Sequence, residues 1–191
     1  VGSPGGYVMD SQPGLYEHVL VLDFKSLYPS IIRTFNIDPL ALVKGLKNSG
    51  SDHWETLCET EIDQCDKAVA GFNGAVFDRA TRILPSLIEE LWASRDVAKS
   101  EGNAAMSQAI KILMNSFYGV MGTPGSRFFD ARLPSSVTLR GHQILNKTRE
   151  FIEAQGFQVI YGDTDSLFVW LEKLPANTPK ADIFALGKSL A

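Results

Sequence analysis

Apolar residues cluster along this chain in two different rhythms. Short runs bounded by polar or turn residues read as strands: Glu17 to Asp23, with Val19-Leu20-Val21-Leu22 at its centre, then Phe157-Gln158-Val159-Ile160 and Leu167-Phe168-Val169-Trp170. The last two runs enclose Tyr161-Gly162-Asp163-Thr164-Asp165-Ser166, which predicts a β-hairpin with acids at its tip. Longer segments follow the helical period. Leu84, Leu87, Ile88 and Leu91 share one face of a helix starting near Pro85 and stopping at Gly102. A second helix is expected over about 104–121, with Ile110, Leu113, Met114, Phe117 and Met121 as its core stripe, and a third over about 135–155, ended by Gly156. Pro29 is suited to open a short helix after the first strand. Residues 1–16 and 122–129 read as loops, and 45–80 as irregular, with Lys47-Asn48-Ser49-Gly50-Ser51 as a surface turn.

These elements predict an α+β fold. The order is strand, helical pair, helix, two strands; without the helical pair it is β-α-β-β, part of a split βαβ antiparallel sheet. The pair would be an insertion standing off that sheet.

Composition adds bounds. The chain has 191 residues, 45% of them hydrophobic, enough for one or two domains with a core. A net charge of -4 argues against a uniformly basic nucleic-acid binder, but the charge is uneven. Six acids and no Lys or Arg fall between Ser51 and Asp66, whereas Arg127, Arg132, Arg140, Lys147 and Arg149 face one acid, Asp130, between Gly125 and Arg149. Such a strip either holds phosphates or is an ordinary solvated surface. Cys58 and Cys65 match no zinc spacing and read as reduced thiols. His18, His53 and His142 form no cluster and read as structural or exposed. No apolar run approaches the roughly 20 residues of a membrane span. The start at Val1 and the form of residues 183–191, an interrupted helix, suggest a piece of a longer protein.

Four constellations carry candidate chemistry. Asp23 at one strand end and Asp163 with Asp165 at the hairpin could converge on Mg²⁺, a hard ion usually held by one or two carboxylates plus phosphates and water. Spacing alone does not say which hairpin acid contributes more, and taken alone both are more simply read as turn formers. On the second helix, Gln108, Lys111, Asn115 and Tyr118 share a narrow polar face, suited to a nucleotide or simply exposed. Arg95 and Lys99, at i and i+4, could grip a triphosphate or snorkel to solvent at the helix end. Tyr28, five residues after Asp23, could lie under a sugar and exclude a 2′-hydroxyl, or be a half-buried tyrosine bonded to backbone.

Taken together, three segments resemble the family B DNA polymerases. Asp23-Phe24-Lys25-Ser26-Leu27-Tyr28-Pro29-Ser30-Ile31-Ile32 resembles the first palm motif, Lys111-Ile112-Leu113-Met114-Asn115-Ser116-Phe117-Tyr118-Gly119 the fingers motif, and Tyr161-Gly162-Asp163-Thr164-Asp165-Ser166 the second palm motif. Their order and separation also fit, and the intervening segments look most like bacterial members. The resemblance implies a palm sheet with an inserted helical-hairpin fingers subdomain: residues 1–83 as the first palm part, 84–122 as fingers and 123–191 as an incomplete second palm part. Exonuclease and thumb would lie outside this chain. It implies DNA-directed synthesis from dNTPs on primer-template DNA, in replication or repair. Two Mg²⁺ ions, or Mn²⁺ in their place, would be held by Asp23, Asp165 and the backbone of Phe24, with Asp163 auxiliary. Tyr28 would gate against ribonucleotides, Arg95, Lys99 and Lys111 would hold the triphosphate, and Asn115 and Tyr118 would line the nascent base pair. Gly5, Gly6, Thr138 and Arg140 would approach the DNA. A sliding clamp could bind through regions outside the chain, and the location would be the bacterial cytoplasm at the nucleoid, with no membrane partner. Two departures stand out: Ser3-Pro4-Gly5-Gly6 lacks the aromatic residue common before the Gly pair, and Arg140-Gly141 reverses the usual order. Other readings are a palm-type nucleotidyl transferase needing no template, such as a nucleotide cyclase, and a binding module with no activity of its own.

Overall fold

The computed structural model describes residues 4–48, 67–175 and 177–190. In chain order the elements are β1 (Val19–Asp23), α1 (Leu27–Thr34), α2 (Pro39–Asn48), β2 (Ala68–Ala70), β3 (Val76–Asp78), α3 (Ile83–Ser100), α4 (Ala104–Gly122), α5 (Arg132–Ala154), β4 (Gln158–Asp163), β5 (Ser166–Trp170) and α6 (Lys180–Leu190). Helices and antiparallel sheets are mixed, as an α+β chain requires. The chain divides into two compact units, one built on Tyr28–Leu139 and the other on Gly5–Leu27 with the residues from Arg140 onward. No helix among the described residues is long and apolar enough to cross a membrane.

The second unit holds an antiparallel three-stranded sheet of order β1-β5-β4. The period-2 pattern decides which side chains enter the core. Leu167 and Val169 of the central strand are fully buried, and with Val159, Leu171, Met9 and the α5 residues Leu145 and Ile152 they form one apolar cluster. Leu20 and Leu22 of β1 pack on it, while Val21 points away and is exposed. A bulge at Ile160 shifts the β4–β5 register. Residues 8–12 follow the outer edge of β4: Val8 bridges Asp163, Met9 N–H donates to the Gly162 carbonyl at 2.9 Å, and Gln12 N–H to the Ile160 carbonyl at 3.2 Å. The 1–16 loop is therefore partly an irregular edge strand.

In the first unit α3 and α4 pack against each other as a helical hairpin. Gly102, at φ +70°, takes the left-handed turn that a Cβ would strain, and the Asn103 side chain accepts from Met106 N–H at 3.0 Å to start α4. The core stripe of α4 is narrower than its sequence suggests: Ile110, Met114 and Met121 are buried, but Leu113 is 47% exposed and Phe117 only half-buried. Leu87 of α3 is likewise 40% exposed.

The stretch 45–80 is not uniformly irregular. It contains the end of α2 and a β2–β3 hairpin pairing Ala68 with Asp78 and Ala70 with Val76. Three-residue strands are too short to show alternation, so their pattern was silent. The start of α2 did have a signal, Asp before Pro, an N-cap followed by the proline of a first turn. Gly45 is on α2 because the Val76 carbonyl occupies the space of a Cβ there. Lys47 and Asn48 close α2; Ser49 to Ser51, the acidic stretch to Asp66, His53, Cys58 and Cys65 lie outside the described residues. The third helix begins at Arg132, earlier than Ser135, because Asp130 accepts from the Arg132 N–H at 2.9 Å and so starts it.

Candidate active site

The acids are gathered by strand register. Ser166, first residue of the central strand, is the register partner of Asp23 on one side and Asp163 on the other. Both carboxylates thus lie at one end of the sheet, and register partners project from the same face. Phe24 N–H donates to the Asp165 carbonyl at 2.8 Å, tying the end of β1 to the hairpin turn. Asp23 and Asp163 are exposed and Asp165 is half-buried.

Backbone strain sits next to both acidic segments. Ser26, three residues after Asp23, has φ +54°, and Thr164, between the hairpin acids, has φ +50°. For a β-branched residue such a φ is an outlier that persists only when its surroundings impose it. Asp165 N–H donates to the Asp163 carbonyl across Thr164, an i→i+2 closure of the γ-turn kind. The Thr164 hydroxyl donates to Asp163 Oδ1 at 2.8 Å, and the Ser166 hydroxyl to the Asp163 carbonyl at 3.2 Å. The sequence pattern gives Thr164 no role of its own; its dihedral reveals a constrained position.

No cluster of three or more His, Cys, Asp or Glu side chains among the described residues forms a metal cage. A few hard oxygens at an open sheet end suit Mg²⁺, which keeps several waters and takes further ligands from substrate phosphates. The donor set therefore fits that ion.

The first unit carries the cations and aromatic rings. Tyr28 on α1 and Tyr118 on α4 meet with ring centroids 4.8 Å apart and planes at 47°. Arg95 is half-buried, and its Nε and one Nη are buried without a hydrogen-bond partner among the described residues. Two such donors in a guanidinium are costly unless an anion meets them. Lys99 lies 3.5 Å from Asp96 at the surface. Gln108, Lys111 and Asn115 are exposed along α4.

The residues expected near DNA fare unevenly. Gly5 and Gly6 are exposed. Arg140 is half-buried and donates to Gln143 Oε1 at 2.9 Å. Thr138 is fully buried, its hydroxyl donating to the Pro134 carbonyl at 3.0 Å, so its side chain offers no surface to a duplex. The basic strip is partly neutralised. Arg132 pairs with Asp130 at 2.7 Å and Arg149 with Glu153 at 2.9 Å, while Arg127 and Lys147 are exposed. The Arg132 side chain hydrogen-bonds Asp130 and holds its carboxyl below the ordinary carboxylate value of 3.8. His18 and His142 are structural, lying 3.1 Å from the Pro175 carbonyl and 3.0 Å from the Gly5 carbonyl.

An α+β chain with acids gathered at one end of an antiparallel sheet, and cations on a helical hairpin, has the parts of a phosphate-handling protein. The profile of DNA polymerase family B matches residues 2–191, and the chain belongs to that family. It is 56% identical over 181 residues to DNA polymerase II of Escherichia coli (strain K12), covering 95% of this chain and 21% of that protein. It is 35% identical over 188 residues to a DNA polymerase of Thermococcus gorgonarius, covering 92% of this chain and 22% of the relative. Against the DNA polymerase alpha catalytic subunit of Oryza sativa subsp. japonica identity is 33% over 177 residues, 86% of this chain and 10% of the relative. The chain thus spans about a fifth or less of these relatives.

Proposed function

We propose that this chain supplies palm and fingers parts of a template-directed DNA polymerase, with residues 1–83 and 123–191 as palm and 84–122 as fingers. The observation that carries the reading is the register placing Asp23 and Asp163 on either side of Ser166, with Asp165 at the adjoining turn, in a family B chain. The substrates would be a dNTP and a primer 3′-hydroxyl on a template strand.

Asp23 and Asp165, with the Phe24 carbonyl, would hold Mg²⁺, and Asp163 would adjust their field. Bound there, the ions would stabilise charge on the attacking and leaving oxygens of the displacement. The protein's own share is positioning and electrostatics. Arg95 directs unpaired donors that a triphosphate would satisfy, and Lys99 and Lys111 would add charge beside it. Tyr28, packed on Tyr118, has a restrained ring that would lie against the sugar and crowd out a 2′-hydroxyl. Asn115 and Tyr118 would border the new base pair.

The test is primer extension by the whole polymerase that carries this chain, with and without Asp165→Ala, offering dNTPs and rNTPs separately. Extension with dNTPs alone, lost in the variant at a cost of several kcal/mol in barrier, is the expected result. Near-normal extension by Asp165→Ala would remove the metal role from the hairpin. No extension by an intact polymerase that still binds primer-template would favour a binding module.

A further inference from the structure

Gly6 lies where no side chain fits. A Cβ placed on it would overlap the Thr164 hydroxyl and come within 3.0 Å of Thr164 Cγ2 and 3.1 Å of Thr164 Cβ. Its φ is not among the positive values, so space and not backbone conformation excludes a larger residue. Thr164 cannot turn away freely, because rotating χ1 would break its 2.8 Å hydrogen bond to Asp163 Oδ1. Its amide is also engaged, donating to the Tyr7 carbonyl at 2.7 Å.

The segment bearing Gly6 is anchored on α5. The Gly5 carbonyl lies 3.0 Å from His142 Nε2, and the Tyr7 ring packs on the His142 ring at 5.3 Å between centroids. The Arg149 guanidinium is held above its ordinary range by the Glu153 carboxylate first, and also by the Tyr7 phenol. Beyond Tyr7, Val8 and Met9 pair with the β4 edge at Asp163 and Gly162.

We propose that Gly6 and Tyr7 are positioning residues: Gly5–Met9 is a brace, anchored on α5, that imposes the strained Thr164 turn and so aims the Asp163 and Asp165 carboxylates. This rests on the polymerase reading of those acids. It gives Gly6 a role inside the protein, separate from any contact with DNA.

The experiment is steady-state primer extension by the whole polymerase carrying Gly6→Ala, Thr164→Ala or both, titrated with Mg²⁺. Gly6→Ala should lower kcat by about tenfold and raise the Mg²⁺ concentration for half-maximal rate by roughly fivefold. The KM for dNTP and the Kd for primer-template should stay within about twofold. Adding Thr164→Ala removes the overlapping hydroxyl and methyl, so the Gly6→Ala defect measured against Thr164→Ala alone should shrink to about twofold. If Gly6→Ala does not fold, His142→Ala releases Gly5 without adding volume and should raise the Mg²⁺ requirement in the same direction. Unchanged Mg²⁺ dependence in the folded variant, a defect confined to primer-template Kd, or an undiminished defect in the double variant would overturn the brace. None of these bears on the polymerase reading, which stands or falls on extension by the unsubstituted enzyme and its loss in Asp165→Ala.

Discussion

Asp38 starts two helices with one carboxylate. It is 1% exposed; Oδ1 accepts from the Leu40 and Ala41 N–H groups at 2.8 and 2.9 Å, capping α2, and Oδ2 accepts from Leu84 N–H at 2.6 Å. The residue before α3, Arg82, provides no side-chain cap of its own, so Asp38 serves α3 from 46 residues away. Asp38→Ala would leave the Ala41 and Leu84 amides without their acceptor. A missing helix cap costs about 1 kcal/mol and a charged hydrogen bond about 1.5–3, less what water recovers at the more exposed Leu40 amide. The sum is roughly 3 kcal/mol. Asp38→Asn keeps an acceptor for α2 but turns an N–H toward Leu84, so roughly half the loss is expected. In urea, with a slope of about 2 kcal/mol/M, Asp38→Ala should move the unfolding midpoint down by about 1.5 M and Asp38→Asn by about 0.7 M. An alanine variant within about 0.5 M of the parent, or an asparagine variant as weak as alanine, would refute the shared-cap argument.

Two further outcomes follow from the surroundings of single side chains. On the proposed polymerase reading, Arg95→Ala should raise the KM for dNTP by about tenfold or more with little change in primer-template Kd, since its Nε and one Nη have no partner among the described residues; equal KM values would assign them elsewhere. Asp130 has its folded pKa depressed by Arg132, so its contribution to stability is present above the unfolded value of 3.8 and is lost as pH falls through the folded value. Asp130→Asn should therefore cost at most about 1 kcal/mol at pH 7, discounted because the pair is about a third exposed, and the difference should vanish in melts taken well below pH 3.8. A cost that persists in acid would locate the effect in something other than charge.

Long, strongly periodic segments were legible in the sequence. The spacing of Leu84, Ile88 and Leu91 locates α3, Gly102 and Gly156 end helices through positive φ, and the short apolar run Leu167-Phe168-Val169-Trp170 locates the central strand. The acids also showed themselves, because carboxylates between strand-like runs break the apolar pattern. What stayed hidden was held together at long range. Leu113 and Phe117 look like core by periodicity, but only tertiary packing determines how wide a buried stripe is. Thr138 looks like a contact residue beside Arg140, yet its hydroxyl bonds back into α5 and never reaches the surface. The strain at Thr164, and its fit against Gly6, depend on segments nearly the length of the chain apart, which no local window can report.

That separation has a consequence for how the chain is made. Gln12 and Gln158 meet at 2.6 Å although 146 residues separate them, and Val8 bridges Asp163. At a synthesis rate of about 5–20 residues per second, the emerging Gly5–Gln12 segment would wait roughly 7–30 s before β4 exists to receive it. Until then its amides must be satisfied by water or by a chaperone. Assembly of the acidic end of the sheet thus waits on the return of two segments some 146 residues apart to one another.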